Sequence, residues 1–313
     1  MPSVPSVLIA SELKDLLPPQ PVPEARVRWI AAGEETPGGD YVGIVPLLSR
    51  RLGAGDLAAL PQLKVIANCA VGIDNVDVAA ALVRGIVVTN TPDVLTEATA
   101  DLTWALILAV ARRLKEGAQL IAEQRWHGWN PTELLGLELR DRTLGLLGAG
   151  RIGQAVGRRA FGFSMRVLYH ARTPKPDFEA SWAAQAVELD ALLGESDVLS
   201  VHLPSSDQTR DLLGDDLLAR LRPGAILINT ARGDIIDQEA LLRALRSGHL
   251  GGVGLDVYPR EPEVHPELVA HPRVVVLPHI GSATWETRRA MAALAVRNLR
   301  AVLRGERALT PVR

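Results

Sequence analysis

Short runs of aliphatic and β-branched residues alternate with helix-length segments along the whole chain, and this rhythm narrows the fold more than any other feature. Val7–Ala10, Val27–Ile30, Tyr41–Val45, Lys64–Asn68 and Ile86–Thr89 read as strands, with helical stretches such as Gly55–Leu60 and Val76–Arg84 between them. A second series follows at Thr143–Leu147, Arg166–Tyr169, Val198–His202, Ala225–Asn229, Gly252–Asp256 and Val274–Leu277, alternating with helices such as Gln154–Ala160 and Gln238–Ser247. Successive strands joined through a helix pair in parallel, so each series predicts a parallel α/β sheet. A chain of 313 residues is too long for one ordinary core and reads as two domains.

Between the two series, Thr96–Lys115 predicts one long apolar helix after the break at Pro92. The last helix, Thr284–Leu303, lies beyond the final strand of the second series and can cross back onto the first domain. The expected division is therefore 1–97 completed by 285–313, with 98–284 inserted. The segment Arg125–Asp141, RWHGWNPTELLGLELRD, fits neither rhythm and carries two tryptophans. It is either an irregular loop packed internally or an arm reaching another subunit.

A net charge of −2 with 47% apolar residues gives no overall pull toward nucleic acid or an anionic membrane, so neither is expected as a partner and any basic patch is local. The single cysteine, Cys69, leaves no internal disulfide framework and fits a reducing compartment; without a basic neighbour in sequence it reads as a small buried residue, not a nucleophile. The start, MPSVPSVLIASELKD, lacks the regions of a signal peptide, and the longest apolar run, Trp104–Ala111, is too short to cross a bilayer. A cytoplasmic protein is expected.

Leu147-Gly148-Ala149-Gly150-Arg151-Ile152-Gly153 places GxGxxG directly after a strand and at the start of a helix. Gly148, Gly150 and Gly153 would permit a tight turn, close backbone approach to a pyrophosphate and close helix packing, while the amides of Arg151 and Ile152 open the helix toward the phosphates. With a second strand following, the context is that of a dinucleotide site in a Rossmann-like unit. In the NAD form of that site, the second strand ends in an acid for the adenosine ribose. Here it ends in VLYHARTPK, and His170, Ala171, Arg172, Thr173 and Lys175 include no carboxylate. Such a turn suits a 2′-phosphate, with Arg172 giving a forked contact, so NADP (NADPH) is expected as cofactor and NAD as the weaker one.

Ligands of an open parallel sheet bind beyond the carboxyl ends of its strands. Three such ends carry ionisable residues, NTARG with Arg232, DVYPREP with Glu261, and PHIGS with His279. An Arg can fork onto a carboxylate, a His can give and take a proton near neutral pH, and a Glu beside it fixes its tautomer. Together they suit reduction of a 2-keto acid by hydride. No metal site is expected.

The segments LGLLGAGRIGQAVGRRA, INTARGDIIDQEAL, GLDVYPREP and LPHIGSAT, with NCAVGIDNVD upstream, resemble the D-isomer-specific 2-hydroxyacid dehydrogenase family in order and over nearly the whole chain. Within it the chain is most similar to glyoxylate and hydroxypyruvate reductases, through WHGWNP, YHARTPKP and GSATWETR. The resemblance implies that His279 is the acid/base, Glu261 its partner and Arg232 the anchor of the substrate carboxylate. It also implies that the backbone at Val71 and Gly72 holds that carboxylate, and that Asp256 lies against the nicotinamide amide. Thr99, Thr230, Ala231 and Gly281 would belong to the cofactor site at its nicotinamide end, and Pro204 would border the adenosine half. The implied build is a flavodoxin-like substrate domain into which the cofactor domain is inserted, in a homodimer formed through the cofactor domain with 125–141 as its arm.

Hydroxypyruvate reductases place a Trp a little after WxxWxP; this chain has Thr132 and Glu133 there, so the resemblance does not choose between hydroxypyruvate and glyoxylate. Phosphoglycerate dehydrogenase fits less well because of the basic turn, and formate dehydrogenase because its relatives carry Gln where this chain has Glu261. A phosphite dehydrogenase or another 2-hydroxyacid dehydrogenase of the same fold remains open, as does a nucleotide-sensing corepressor of the same fold.

Overall fold

A computed structural model of the protein describes residues 4–312. The chain divides into two compact units, one formed by 1–95 with 282–313 and the other by the continuous segment 96–281. The second unit is thus inserted into the first.

The first unit is built on β1 (Ser6–Ala10), β2 (Arg26–Ile30), β3 (Tyr41–Val45), β4 (Val65–Ala67) and β5 (Val87–Thr89), with α1 (Ala54–Ala58) and α2 (Val78–Val83). The pairings between its strands are parallel, in the order β2-β1-β3-β4-β5, the flavodoxin-like arrangement. Helix α2 starts where Asp77 accepts the Ala80 N–H at 2.9 Å. The C-terminal helix, Trp285–Leu303, belongs to this unit and is capped by Thr284, which accepts the Thr287 N–H at 3.1 Å. Its buried stripe of Met291, Ala292, Ala295, Val296 and Leu299 recurs at helical spacing and packs with Val7, Ile9, Val45 and Val65 of the sheet.

In the second unit, α3 (Thr96–Ala111) and α4 (Leu114–Ala122) replace the single helix expected over 96–115. The break is at Arg113, which adopts left-handed φ 53° and ψ 40° while its guanidinium turns onto Glu116. Sequence periodicity does not register such a break, because both flanks keep helical character. The following elements are β6 (Thr143–Leu147), α5 (Arg151–Ala160), β7 (Arg166–His170), α6 (Pro176–Trp182), β8 (Gln185–Ala186), α7 (Leu189–Glu195) and β9 (Val198–Val201). After them come α8 (Asp215–Leu218), β10 (Ala225–Asn229), α9 (Gln238–Arg246), β11 (Leu250–Leu255), α10 (Pro266–Ala270) and β12 (Val274–Val276). The parallel sheet runs β12-β11-β10-β9-β6-β7-β8, and its strand order reverses between β6 and β9. That is the doubly wound order with a switch point where a dinucleotide binds.

Strands β6, β9 and β10 are buried along their whole length, as expected for a parallel sheet covered on both faces. In the segment 125–141 residues 125–133 are exposed, Trp126 and Trp129 at 54% and 85%, whereas Leu137 and Leu139 pack into the core of the second unit and the Leu137 N–H donates to the Ala111 carbonyl at 2.8 Å. Among the described residues, no helix is long and apolar enough to cross a membrane.

Candidate active site

The glycine loop leaves β6 and enters α5, and each glycine meets a different constraint. Gly148 has φ +103°, and a Cβ there would lie 2.6 Å from the His202 carbonyl oxygen. A Cβ on Gly153 would strike the Gly148 carbonyl, which is how closely the helix sits on the loop. Gly150 is the N-cap of α5, and a Cβ on it would have no neighbour within 4 Å, so open space lies over the first amides of a ten-residue helix. A tight turn, close packing and an open cap are the three features a pyrophosphate requires, and the loop fits one. Arg151 and Ile152 open the helix, and Pro204 follows β9 across the switch point, exposed.

The turn after β7 is built from beneath by Tyr169, which is 1% exposed. Its hydroxyl accepts the Lys175 backbone N–H at 2.7 Å and donates to the Glu179 carboxylate, closing 170–175 into a loop. His170 is held through Nδ1, 3.0 Å from the Val187 carbonyl, and Lys175 Nζ donates to Thr173 Oγ1 at 3.0 Å. Ala171 is half-buried, whereas Arg172 and Thr173 are exposed. Glu179, the carboxylate joined to this turn, faces Tyr169.

Beyond β10, β11 and β12 the ionisable residues do converge. Nδ1 of His279 lies 2.7 Å from Oε2 of Glu261, whose other oxygen accepts the Tyr258 N–H at 3.1 Å. Burial pushes the Glu261 carboxyl up, but the bonds from His279 and Tyr258 together with the charges of His279 and Arg232 outweigh it and hold its pKa below the usual carboxylate value. Arg232 is therefore within electrostatic reach of the pair, on a loop that Asn229 shapes by accepting the Ala231 N–H at 3.0 Å and donating to the Arg232 carbonyl at 2.8 Å.

His279 itself sits at φ +54°, an uncommon conformation for a side-chain-bearing residue. Asp256 holds it there. The Asp256 carboxylate accepts the N–H groups of Ile280 and Gly281, both at 2.8 Å, and its carbonyl accepts the His279 N–H at 3.0 Å. Burial raises the Asp256 pKa even against those two amides. Close by, Thr99 Oγ1 donates to the Gly281 carbonyl at 3.2 Å, and Thr103 Oγ1 lies 2.9 Å from Thr230 Oγ1. Thr99, Thr230, Asp256 and Gly281 thus form one cluster, with Thr103 a member that sequence reasoning missed because it sits mid-helix on α3 without a motif.

His202 was also missed as a residue of interest. Its Nε2 lies 2.8 Å from Ser200 Oγ, and burial pushes its pKa down to about 3, so the ring is neutral.

In the first unit, Val71 and Gly72 follow β4 in a loop where three successive carbonyls, of Ala70, Val71 and Gly72, are engaged. The Thr91 N–H donates to the Ala70 carbonyl at 2.8 Å, Asn90 Nδ2 to that of Val71 at 2.8 Å and Asn68 Nδ2 to that of Gly72 at 2.8 Å. Cys69, just before, is buried, which pushes its thiol pKa up to about 12, with the charge of Arg288 acting the other way. It is a core residue.

Comparison with known proteins agrees with this geometry. Residues 104–281 match the model of the D-isomer specific 2-hydroxyacid dehydrogenase NAD binding domain. Glyoxylate reductase of Thermococcus onnurineus is 46% identical over 271 residues, covering 85% of this chain and 81% of the relative. Among solved structures, the TT0316 protein of Thermus thermophilus is 46% identical with a TM-score of 0.90, covering 98% of this chain and 100% of its own. An NADPH-dependent glyoxylate/hydroxypyruvate reductase from Sinorhizobium meliloti, solved with NADP and malonate, is 38% identical with a TM-score of 0.87, covering 99% and 97%. With a glycine loop shaped for a pyrophosphate and matches of this extent, the chain belongs to the D-isomer-specific 2-hydroxyacid dehydrogenase family and is an NAD(P)-dependent oxidoreductase.

Proposed function

We propose that the protein reduces a small 2-keto acid, glyoxylate or hydroxypyruvate, to the D-2-hydroxy acid with NADPH as the preferred cofactor. The observation that carries this reading is the His279–Glu261 pair, 2.7 Å apart at the carboxyl end of the inserted sheet with Arg232 beside it. The bound nicotinamide supplies the hydride. His279, its Nδ1 proton held by Glu261, presents Nε2 to the keto oxygen and delivers the proton there as the carbonyl carbon accepts the hydride. Arg232 forks onto the substrate carboxylate, and the Val71–Gly72 backbone binds the same group. Thr99, Thr230, Ala231, Asp256 and Gly281 would hold the nicotinamide end, and Pro204 would border the adenosine half.

The NADPH preference is supported by the composition of the 170–175 turn, where Arg172, Thr173 and Lys175 offer donors and the joined carboxylate of Glu179 is turned onto Tyr169. The substrate role belongs to 1–97 with 285–313 and the cofactor role to 98–284. Exposed Trp126 and Trp129 suit an arm over 125–141 that reaches a second copy in a homodimer. Steady-state rates with glyoxylate, hydroxypyruvate, pyruvate and phosphite, each with NADPH and NADH, test the reading. Turnover of glyoxylate or hydroxypyruvate, faster with NADPH, is the expected result. Preferential oxidation of phosphite would replace it, and absence of turnover with tight nucleotide binding would favour a nucleotide-sensing role.

A further inference from the structure

The loop after β4 carries more organisation than two backbone amides need for folding. Three successive carbonyls, of Ala70, Val71 and Gly72, each accept a hydrogen bond, from the Thr91 N–H, Asn90 Nδ2 and Asn68 Nδ2, all at 2.8 Å. In a trans peptide the C=O of one residue and the N–H of the next point in opposite directions. Fixing the Ala70 carbonyl therefore aims the Val71 N–H away from Thr91, and fixing the Val71 carbonyl aims the Gly72 N–H away from Asn90. Neither N–H donates to any protein acceptor among the described residues. Both residues are half-buried, so these are oriented donors lacking a protein partner at a partly desolvated position.

The two asparagines are themselves fixed. Asn68 is 0% exposed and exchanges a reciprocal pair of amide bonds with Asn75, both 3.1 Å, while Asn75 also donates to the Leu47 and Arg50 carbonyls at 3.2 and 3.0 Å. Asn90 is held at its backbone by Thr310, whose hydroxyl donates to the Asn90 carbonyl at 2.6 Å and accepts from buried Asn298 at 2.8 Å. A flexible polar loop would not require one asparagine held at its side chain and the other at its backbone by two separate networks. The charge of Arg288, sensed at Cys69 two residues before Val71, adds a field favourable to an anion.

We infer that Asn90 and Asn68 are positioning residues of an anion cradle at Val71–Gly72, and that Thr310 extends this control to the C-terminal segment. The inference rests on the carboxylate-binding role proposed for that loop and names what sets its geometry. Asn90 acts through the peptide it holds and touches no substrate.

Oxamate, an unreactive 2-keto-acid analogue, is the probe, because its binding to the native protein with NADPH reports carboxylate recognition without turnover. Asn90→Leu keeps the volume and removes the donor. It should weaken oxamate about five- to twentyfold and raise KM for the keto acid in parallel, with the KM for NADPH unchanged. A merely structural role would lower Tm and the amount of active enzyme but leave oxamate affinity alone. Thr310→Val, remote from the loop, removes the hydroxyl that braces the Asn90 carbonyl and accepts from Asn298, and should weaken oxamate about three- to fivefold, so the inference stays testable if Asn90→Leu does not fold. Oxamate affinity within about twofold of native in either folded variant overturns it. Native protein that neither reduces a 2-keto acid nor binds oxamate would remove the proposed function and the cradle with it.

Discussion

Replacing Glu261 by Gln changes one oxygen to a nitrogen, yet it should cost most of the activity. The two carboxylate oxygens serve different donors, Oε2 facing Nδ1 of His279 at 2.7 Å and Oε1 accepting the Tyr258 N–H at 3.1 Å. A carboxamide has only one oxygen. If it stays with His279, the amide NH2 faces the Tyr258 N–H, donor against donor, and the unsatisfied buried group costs about 1–3 kcal/mol. If the NH2 faces His279 instead, all groups are satisfied but the ring proton must move from Nδ1 to Nε2. The ring then lacks the carboxylate that stabilises its positive form, and the wrong tautomer in a comparable carboxylate–His pair loses about 10⁴ in turnover. The inactive arrangement is thus preferred by about 1–3 kcal/mol, and kcat should fall about five- to a hundredfold. The assay is kcat for keto-acid reduction with NADPH from pH 5 to 9, with NADPH binding followed by nucleotide fluorescence to show that the cofactor site is intact. A kcat within about threefold of native across that range, with intact NADPH binding, would refute the assigned division of labour between the two oxygens.

Arg232→Lys keeps the charge and loses the fork, so kcat/KM for the keto acid should drop at least about tenfold; near-native kinetics would reduce Arg232 to a background charge. Arg172→Ala should weaken NADPH about ten- to a hundredfold, leave NADH nearly unchanged and make the cofactor preference less sensitive to salt, whereas a parallel loss for both cofactors would sink the phosphate reading. His202 predicts an acid effect on stability: its folded pKa is pushed down to about 3 from 6.5, so below pH 6.5 the unfolded chain binds the proton first and stability falls with falling pH. The slope from this residue is at most about 1.4 kcal/mol per pH unit, and less to the extent that the half-buried residue admits solvent. Urea unfolding of His202→Gln between pH 6.5 and 4.5 should show a flatter dependence than native protein, and an identical slope would show that the ring titrates freely.

What the sequence determined by itself was the part of the fold written in local periodicity and in residues with one dominant use. Buried parallel strands must be continuously apolar, and helices between them must be amphipathic, so runs such as Thr143–Leu147 and Ala225–Asn229 were legible to the residue. The glycine loop was legible because a side chain at Gly148 or Gly153 would collide with backbone, which leaves glycine as the residue that fits. The candidate trio was legible as three strand ends, because parallel topology puts all carboxyl ends on one side of the sheet.

Only the tertiary structure decided the rest. Strand order, and with it the switch point between β6 and β9, depends on pairings between residues some fifty apart in sequence, such as Leu144 with Val198. The bond between His279 and Glu261 depends on a left-handed backbone at His279 that two amides anchored by Asp256 hold in place, a conformation no local propensity favours. Arg113 breaks the helix expected over 96–115 for a similar reason, since a single residue in the left-handed region leaves the helical pattern on both sides intact. The asparagines behind Val71–Gly72 were read as the end of a strand and the residue after one. Their function lies in hydrogen bonds to loop carbonyls, and a sequence records which side chains can donate, not which carbonyl the folded chain brings to them.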